Sequence, residues 1–197
     1  GGNQLFCSGQ YGGGELMLAS LIFDGNASRF PADLGPLVND TDGTSISNGD
    51  PSLDATSARM MFTRNHGGFD LDIYEASRSP AIPGQPFQAV APVSFNGFDP
   101  GAASLCPALS PDGLHMFFSS TDPIDVSGGQ PPAGALTVWY VARTDLDDEW
   151  GDPIPIETFD DDDEHTCVMA LRGDGCELWV QRFILGPATN SYFRSLR

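Results

Sequence analysis

The sequence predicts an all-β fold: a β-propeller built from about four antiparallel four-stranded units. Three observations carry that expectation. A four-part pattern recurs along the 197 residues. Nothing reads as a long amphipathic helix, and Gly (23) and Pro (16) are frequent enough to separate many short strands by turns. A β-sandwich also has short strands, but it does not require the same four-part pattern to return.

The fullest copy lies between Cys106 and Arg143. Pro107-Ala108-Leu109 reads as an opening strand, and Asp112-Gly113 as a reversal, because Gly tolerates the positive φ that tight two-residue hairpin turns need. Met116-Phe117-Phe118-Ser119 is the second strand, with counterparts in Leu5-Phe6-Cys7-Ser8, Met60-Met61-Phe62-Thr63 and, more weakly, Leu178-Trp179-Val180-Gln181. The third strands are Glu15–Ala19, Asp72–Ala76, Val138–Ala142 and Ser191–Arg194. An aromatic-led, proline-bearing element follows in three units, at Phe30–Leu37, Phe87–Val93 and Trp150–Ile154, and proline suits the edge of a sheet. Opening strands recur at Pro51-Ser52-Leu53 and Cys167-Val168-Met169.

Each full unit is about 55 residues, and the boundaries fall near 1–44, 45–100, 101–160 and 161–197. A blade cannot bury both faces alone, so these units are expected to form a single domain over 1–197. The first unit lacks an opening strand and the last an outer one, which leaves an incomplete or fragmentary ring open and predicts self-association through an unpaired edge.

These segments resemble the WD40-like PD40 repeats of TolB-type β-propellers. There, a Pro-x-Leu-Ser-x-Asp-Gly turn precedes a Leu-Tyr-Phe-Ser-Ser-like strand, then a Gly-Gly-x-Asp-Ile-Tyr-like strand and an aromatic-led outer strand. Pro107–Ser120 with Trp139–Arg143 and Trp150 is the best match, and Gly67–Tyr74 matches the third part in the second unit. The second unit departs at its turn, where Asp54-Ala55-Thr56-Ser57 replaces Ser-Pro-Asp-Gly, and the last keeps only Asp174-Gly175. The resemblance implies a propeller used for protein contact in the periplasm or outside the cell, or one placed beside a separate hydrolase.

Bulk charge excludes some partners. The formal net charge is −18, from 27 acidic residues against 9 basic ones, so neither nucleic acid nor an anionic membrane surface is expected as a partner. The acidity itself reads as solubility, as in a salty medium that screens self-repulsion. No run approaches a membrane span of about 20 apolar residues, and Gly1-Gly2-Asn3 does not open a signal peptide.

Four cysteines allow several pairings. Cys167 and Cys176 flank the Arg172–Gly175 turn and are the expected disulfide, ahead of Cys7 with Cys106.

Candidate site residues are few. Arg64, Asn65, His66 and Asp70 gather at the inner loop of the second unit and are the expected ligand-binding group, since propeller loops carry binding while blades hold them. Asp160, Asp162 and Glu164, in the run ending at His165, are either a solvated loop or a calcium site, and no other cofactor is expected. The polar stretch from Asn39 to Asp50 reads as a solvated connection that lacks the glutamate of a known calcium loop. Trp139 reads as packing between blades.

No nucleophile elbow, His-Glu-x-x-His or phosphate loop occurs. The expectation is therefore a non-catalytic extracellular or periplasmic scaffold for a protein or glycan partner. The alternative is a glycan-cleaving propeller with two opposed channel carboxylates, or the propeller domain of a larger hydrolase.

Overall fold

The computed structural model describes residues 3–10, 16–23, 32–34, 37–39, 47–67, 70–78, 86–99, 101–121, 135–156, 165–171, 177–183 and 192–196, the first three strands and the last by their backbone pairing alone. All regular structure among these is β. Blade 1 comprises β1 (Asn3–Gln10), β2 (Leu16–Phe23) and β3 (Ala32–Asp33). Blade 2 comprises β4 (Ser47–Leu53), β5 (Arg59–Gly67), β6 (Asp70–Ser77) and β7 (Ala89–Pro92). Blade 3 is β8 (Ser104–Leu109), β9 (His115–Ser120), β10 (Thr137–Ala142) and β11 (Ile154–Pro155), and blade 4 is β12 (His165–Leu171), β13 (Leu178–Phe183) and β14 (Tyr192–Leu196). Within every blade, sequential strands pair antiparallel. The ring is incomplete: among the described residues no strand of blade 4 pairs with blade 1.

The four predicted units are thus present, with two differences. Blades 1 and 2 are not separate sheets, because one parallel pair, Leu16 with Ser47, joins them into a seven-stranded sheet. The inner strand β4 starts before Pro51, and those added residues reach β2. Pro51 and Pro107 accordingly lie within inner strands instead of opening them. Each sits in a β-bulge, between Gly49 and Ser52 or between Leu105 and Ala108, which removes the need for a ladder N–H. The residue before each proline, Asp50 (φ 51°) or Cys106 (φ 55°), has positive φ.

The reversal between β8 and β9 is longer than a two-residue turn. Gly113 N–H donates to Ser110 O (2.9 Å), and Ser110 N–H donates to His115 O (2.8 Å). Gly113 has φ +75°, a conformation that favours glycine, and a Cβ there would lie 2.8 Å from Leu146 Cδ2 and push that side chain's tip aside. The turn of blade 2, which lacks the expected signature, is nevertheless the same turn. Ser57 N–H donates to Asp54 O (3.0 Å), and Asp54 N–H to Arg59 O (3.2 Å). In blade 3 the Ser110 hydroxyl donates to the Asp112 carboxylate. In blade 2 the Thr56 hydroxyl donates to Asp54 Oδ2 (2.6 Å). Carboxylate and hydroxyl have exchanged places, and the bond survives.

A second repeated device holds that turn. Arg78 and Arg143, one residue beyond β6 and β10, donate Nε–H to Ser57 O (2.8 Å) and Gly113 O (3.0 Å) respectively. Their guanidinium carbons lie 4.9 Å from the Phe87 ring centroid and 4.3 Å from that of Trp150, the aromatic residues leading the outer strands. One side chain therefore links turn, third strand and outer strand in each blade.

The apolar core lies along the seams between blades. Met61 and Ile73 of blade 2 pack with Leu109, Phe118, Trp139 and Trp150 of blade 3, so Trp139 is a packing residue, as expected. Ala108 and Val138 of blade 3 pack with Val168, Leu178 and Val180 of blade 4. The fourth residue of the Met-Met-Phe-Thr pattern adds a polar stitch. Thr63 Oγ1 accepts Cys106 N–H (3.1 Å), and its counterpart Ser119 Oγ accepts Val168 N–H (3.2 Å), each from the next inner strand.

The cysteine pairing is corrected. Cys106 bonds to Cys167 with Cα atoms 5.8 Å apart, so neither Cys167–Cys176 nor Cys7–Cys106 forms. Cys167 lies opposite Gln181 in the β12–β13 ladder, whereas β8 and β12 run side by side as inner strands of successive blades. By chain entropy, closing a 61-residue separation constrains the unfolded chain by about 4 kcal/mol.

Ser57 occupies with φ 56° the place Gly113 fills in blade 3. Ser57→Gly is expected to stabilise the protein by about 1 kcal/mol, a rise in Tm of roughly 2–4 °C by calorimetry; a fall in Tm would show that the side chain carries a contact worth more than the strain.

Candidate functional site

Of the predicted ligand-binding residues, Arg64 is committed to the fold. It is 6% exposed and donates Nε–H to Asn48 Oδ1 (3.1 Å) and Nη2–H to Leu37 O (3.1 Å) and Val38 O (2.8 Å). Its guanidinium also covers the Tyr74 ring at 4.3 Å. Asn65 Oδ1 accepts Gly67 N–H (2.7 Å), shaping the end of β5. His66 and Asp70 remain near the surface at the β5–β6 reversal. His66 Nε2 lies 3.1 Å from Tyr74 Oη and 3.8 Å from Asp72 Oδ2. The Asp72 carboxyl, which the sequence did not single out, is held above the usual carboxylate range by partial burial and by Asp70, with His66 acting against both. Asp160, Asp162 and Glu164 lie outside the described residues, as do Thr41–Asp42 and the Arg172–Gly175 turn. Among the described residues no group of three or more His, Cys, Asp or Glu side chains converges at metal-binding distance.

Charge at the seam is organised by Glu75. It accepts Arg143 Nη1–H (3.0 Å) and Nη2–H (3.2 Å) across the blade 2–blade 3 boundary, and Arg59 Nη1–H (2.7 Å) from its own blade. Arg59 also reaches Asp147 of blade 3 (2.7 Å). Burial works against the Arg59 charge, but the two carboxylates outweigh it and raise its pKa. Arg78 is the reverse case: burial lowers its pKa despite Asp54. Sequence comparison of the units at Ala76-Ser77-Arg78 and Val141-Ala142-Arg143 contains the signal for this pair of arginines.

All nine basic residues of the chain are arginines. Of the five whose side chains are described, Arg64, Arg78, Arg143 and Arg182 are buried and Arg59 is 19% exposed at the side chain. The acids Asp50, Asp70, Asp99, Asp112, Asp145, Asp147, Asp148, Glu149 and Asp152 are exposed. The described surface is therefore predominantly acidic.

Two clefts open beside the residues that connect β7 to blade 3. One, of about 350 Å³, is lined by Glu75, Arg143, Asp148, Glu149 and Trp150 together with residues 91–96. The other, of about 260 Å³, is lined by Asp72, Phe95, Phe98, Asp99 and Ser104, and shares Pro92–Phe95 with the first. On the inner strands, Asp50 occupies the bulge position held by Cys106 in blade 3. The residue is exposed as a whole, and its carboxylate accepts a hydrogen bond from the Thr63 hydroxyl (2.9 Å). Desolvation by the surrounding protein raises its pKa, opposed by hydrogen bonds from Thr63 and the Cys106 backbone. Asp54 and Asp112, the other acids near the inner turns, are occupied by turn hydrogen bonds.

Comparison with known proteins bears on the fold. TolB from Acinetobacter baumannii matches with TM-score 0.51 and 13% identity over 98% of this chain and 38% of that one. The α-L-arabinofuranosidase of Podospora anserina matches with TM-score 0.54 and 15% identity over 99% and 59%. The fold is that of a β-propeller. A Hadza microbial sialidase matches with TM-score 0.52 and 12% identity over 93% of this chain and 43% of that one. This propeller chain thus spans between 38% and 59% of the length of these three structures. No family model and no curated protein matches the sequence.

A carboxyl whose pKa is raised on folding binds its proton more tightly in the native state. It therefore costs stability as pH rises through the window from the unfolded value, about 3.9, to the folded one. Asp50→Asn is expected to raise Tm at pH 7 and to leave it unchanged at pH 3, where both states are mostly protonated. An equal change at both pH values would assign the effect to backbone conformation instead.

Proposed function

We propose that this propeller is a non-catalytic binding scaffold of the WD40-like PD40 type, extracellular or periplasmic, that engages a protein or glycan partner. The observation that carries the reading is how the converging charges are used. Glu75 binds Arg59 of its own blade and Arg143 across a blade seam, and Asp54 and Asp112 are held in turns. Hydrolysis of a glycoside needs carboxyl groups available to the substrate, one of them protonated. The PD40 assignment is supported by the turn that persists in blade 2 through exchanged partners. The compartment is supported by the Cys106–Cys167 disulfide, since structural disulfides persist in oxidising surroundings.

One observation favours the second reading, a glycan-cleaving propeller or the propeller domain of a larger hydrolase. Asp50 combines an inner-strand position with a carboxyl held above its ordinary pKa, as a general acid requires. The two readings separate in an assay of the chain against a panel of aryl glycosides, with Asp50→Asn alongside. The scaffold reading expects no turnover above that of the variant. Turnover that falls about 100-fold or more in Asp50→Asn would overturn it.

A further inference from the structure

We infer that the paired clefts between blades 2 and 3 form one groove that receives an extended, arginine- or lysine-bearing segment of a partner protein. The inference rests on the scaffold reading and names the chemistry of its partner.

The two clefts share Pro92, Val93, Ser94 and Phe95 as a common wall, so a chain lying along this run meets both. That run continues from β7, the outer strand of blade 2, whose only ladder partner among the described residues is β6. Outer strands accept extended peptides because one side of their backbone faces outward.

The walls select charge. Asp72 and Asp99 line the smaller cleft beside Phe95 and Phe98, and among the described residues no basic one lines it. Carboxylates beside aromatic faces suit the tip of a basic side chain, which gains ion pairing and a ring contact together. The larger cleft adds Asp148 and Glu149; the one cation among its described lining, Arg143, is already held by Glu75 and covered by Trp150. Phe95 stacks on Phe118 at 4.6 Å, and Phe98 meets Trp139 edge-on at 4.7 Å, so the ring walls are fixed by the seam core before any partner arrives. Every described arginine is at least four-fifths buried and the chain has no lysine; the described imidazole of His66 stands 3.8 Å from Asp72.

The test is fluorescence anisotropy of the full chain with a labelled extended peptide of alternating Arg and Ala, with an alternating Glu and Ala peptide and spermidine as controls. Asp72→Asn/Asp99→Asn is expected to weaken binding of the Arg peptide at least tenfold. Asp145→Asn/Asp152→Asn, which removes the same charge from acids outside both clefts, should change it less than twofold. In the unaltered protein, hydrogen exchange should show protection by the peptide at residues 91–104, a readout that does not depend on any variant folding. Equal weakening by both double variants, protection elsewhere, spermidine binding as tightly as the peptide, or no binding would each overturn the inference. None of these results involves glycoside turnover, so the scaffold reading falls only by the separate assay.

Discussion

The guanidinium of Arg143 is the interaction on which the described architecture depends. It is 2% exposed at the side chain, holds the αL glycine of its own turn, lies over Trp150, and forms a two-point ion pair with Glu75 of the preceding blade. A buried charge with its hydrogen bonds satisfied is tolerated, but one stripped of its partner costs about 3–5 kcal/mol. That asymmetry makes the seam specific. The outer strand, the turn and the neighbouring blade must all be in place before the charge can be buried. Arg78 repeats the intrablade half of this arrangement in blade 2.

Around this point the remaining seam contacts are of ordinary kinds and mutually consistent. Apolar side chains from both sides fill the boundary, a hydroxyl in the second strand of blades 2 and 3 accepts an N–H from the next inner strand, and a disulfide joins the inner strands of blades 3 and 4. Small sheets of this size expose two faces, so the coupling between blades is as important to stability as pairing within them. The clefts beside residues 91–96 arise where this packing ends and the connection to blade 3 crosses the surface.

Much of the architecture was legible in the chain because strand periodicity and turn residues are local. The Met60–Thr63 and Met116–Ser119 patterns fall within β5 and β9, and the proline-bearing outer strands sit at sheet edges. The turn at Asp54 looked different because the sequence shows residue types, whereas the hydrogen bond needs only one donor and one acceptor across two positions. The disulfide was misread for a related reason: closeness along a hairpin is visible in sequence, while the adjacency of two inner strands 61 residues apart is a property of the packed blades. Arg64 looked like a loop residue available for binding, but three hydrogen bonds and an aromatic face place it in the core between blades. Asp72 is less legible because its perturbation comes first from burial, which has no sequence signature, and only then from Asp70 two residues away.

Coupling through the Glu75–Arg143 seam makes blades 2 and 3 open as one body. Native-state hydrogen exchange on Glu75→Gln, which keeps the shape and removes the charge, tests it most directly. Protection in β5 and β6 is expected to fall together with that in β9 and β10, by the same free energy. Loss confined to β5 and β6, with β9 and β10 unchanged, would contradict it and leave the blades as independent sheets in contact.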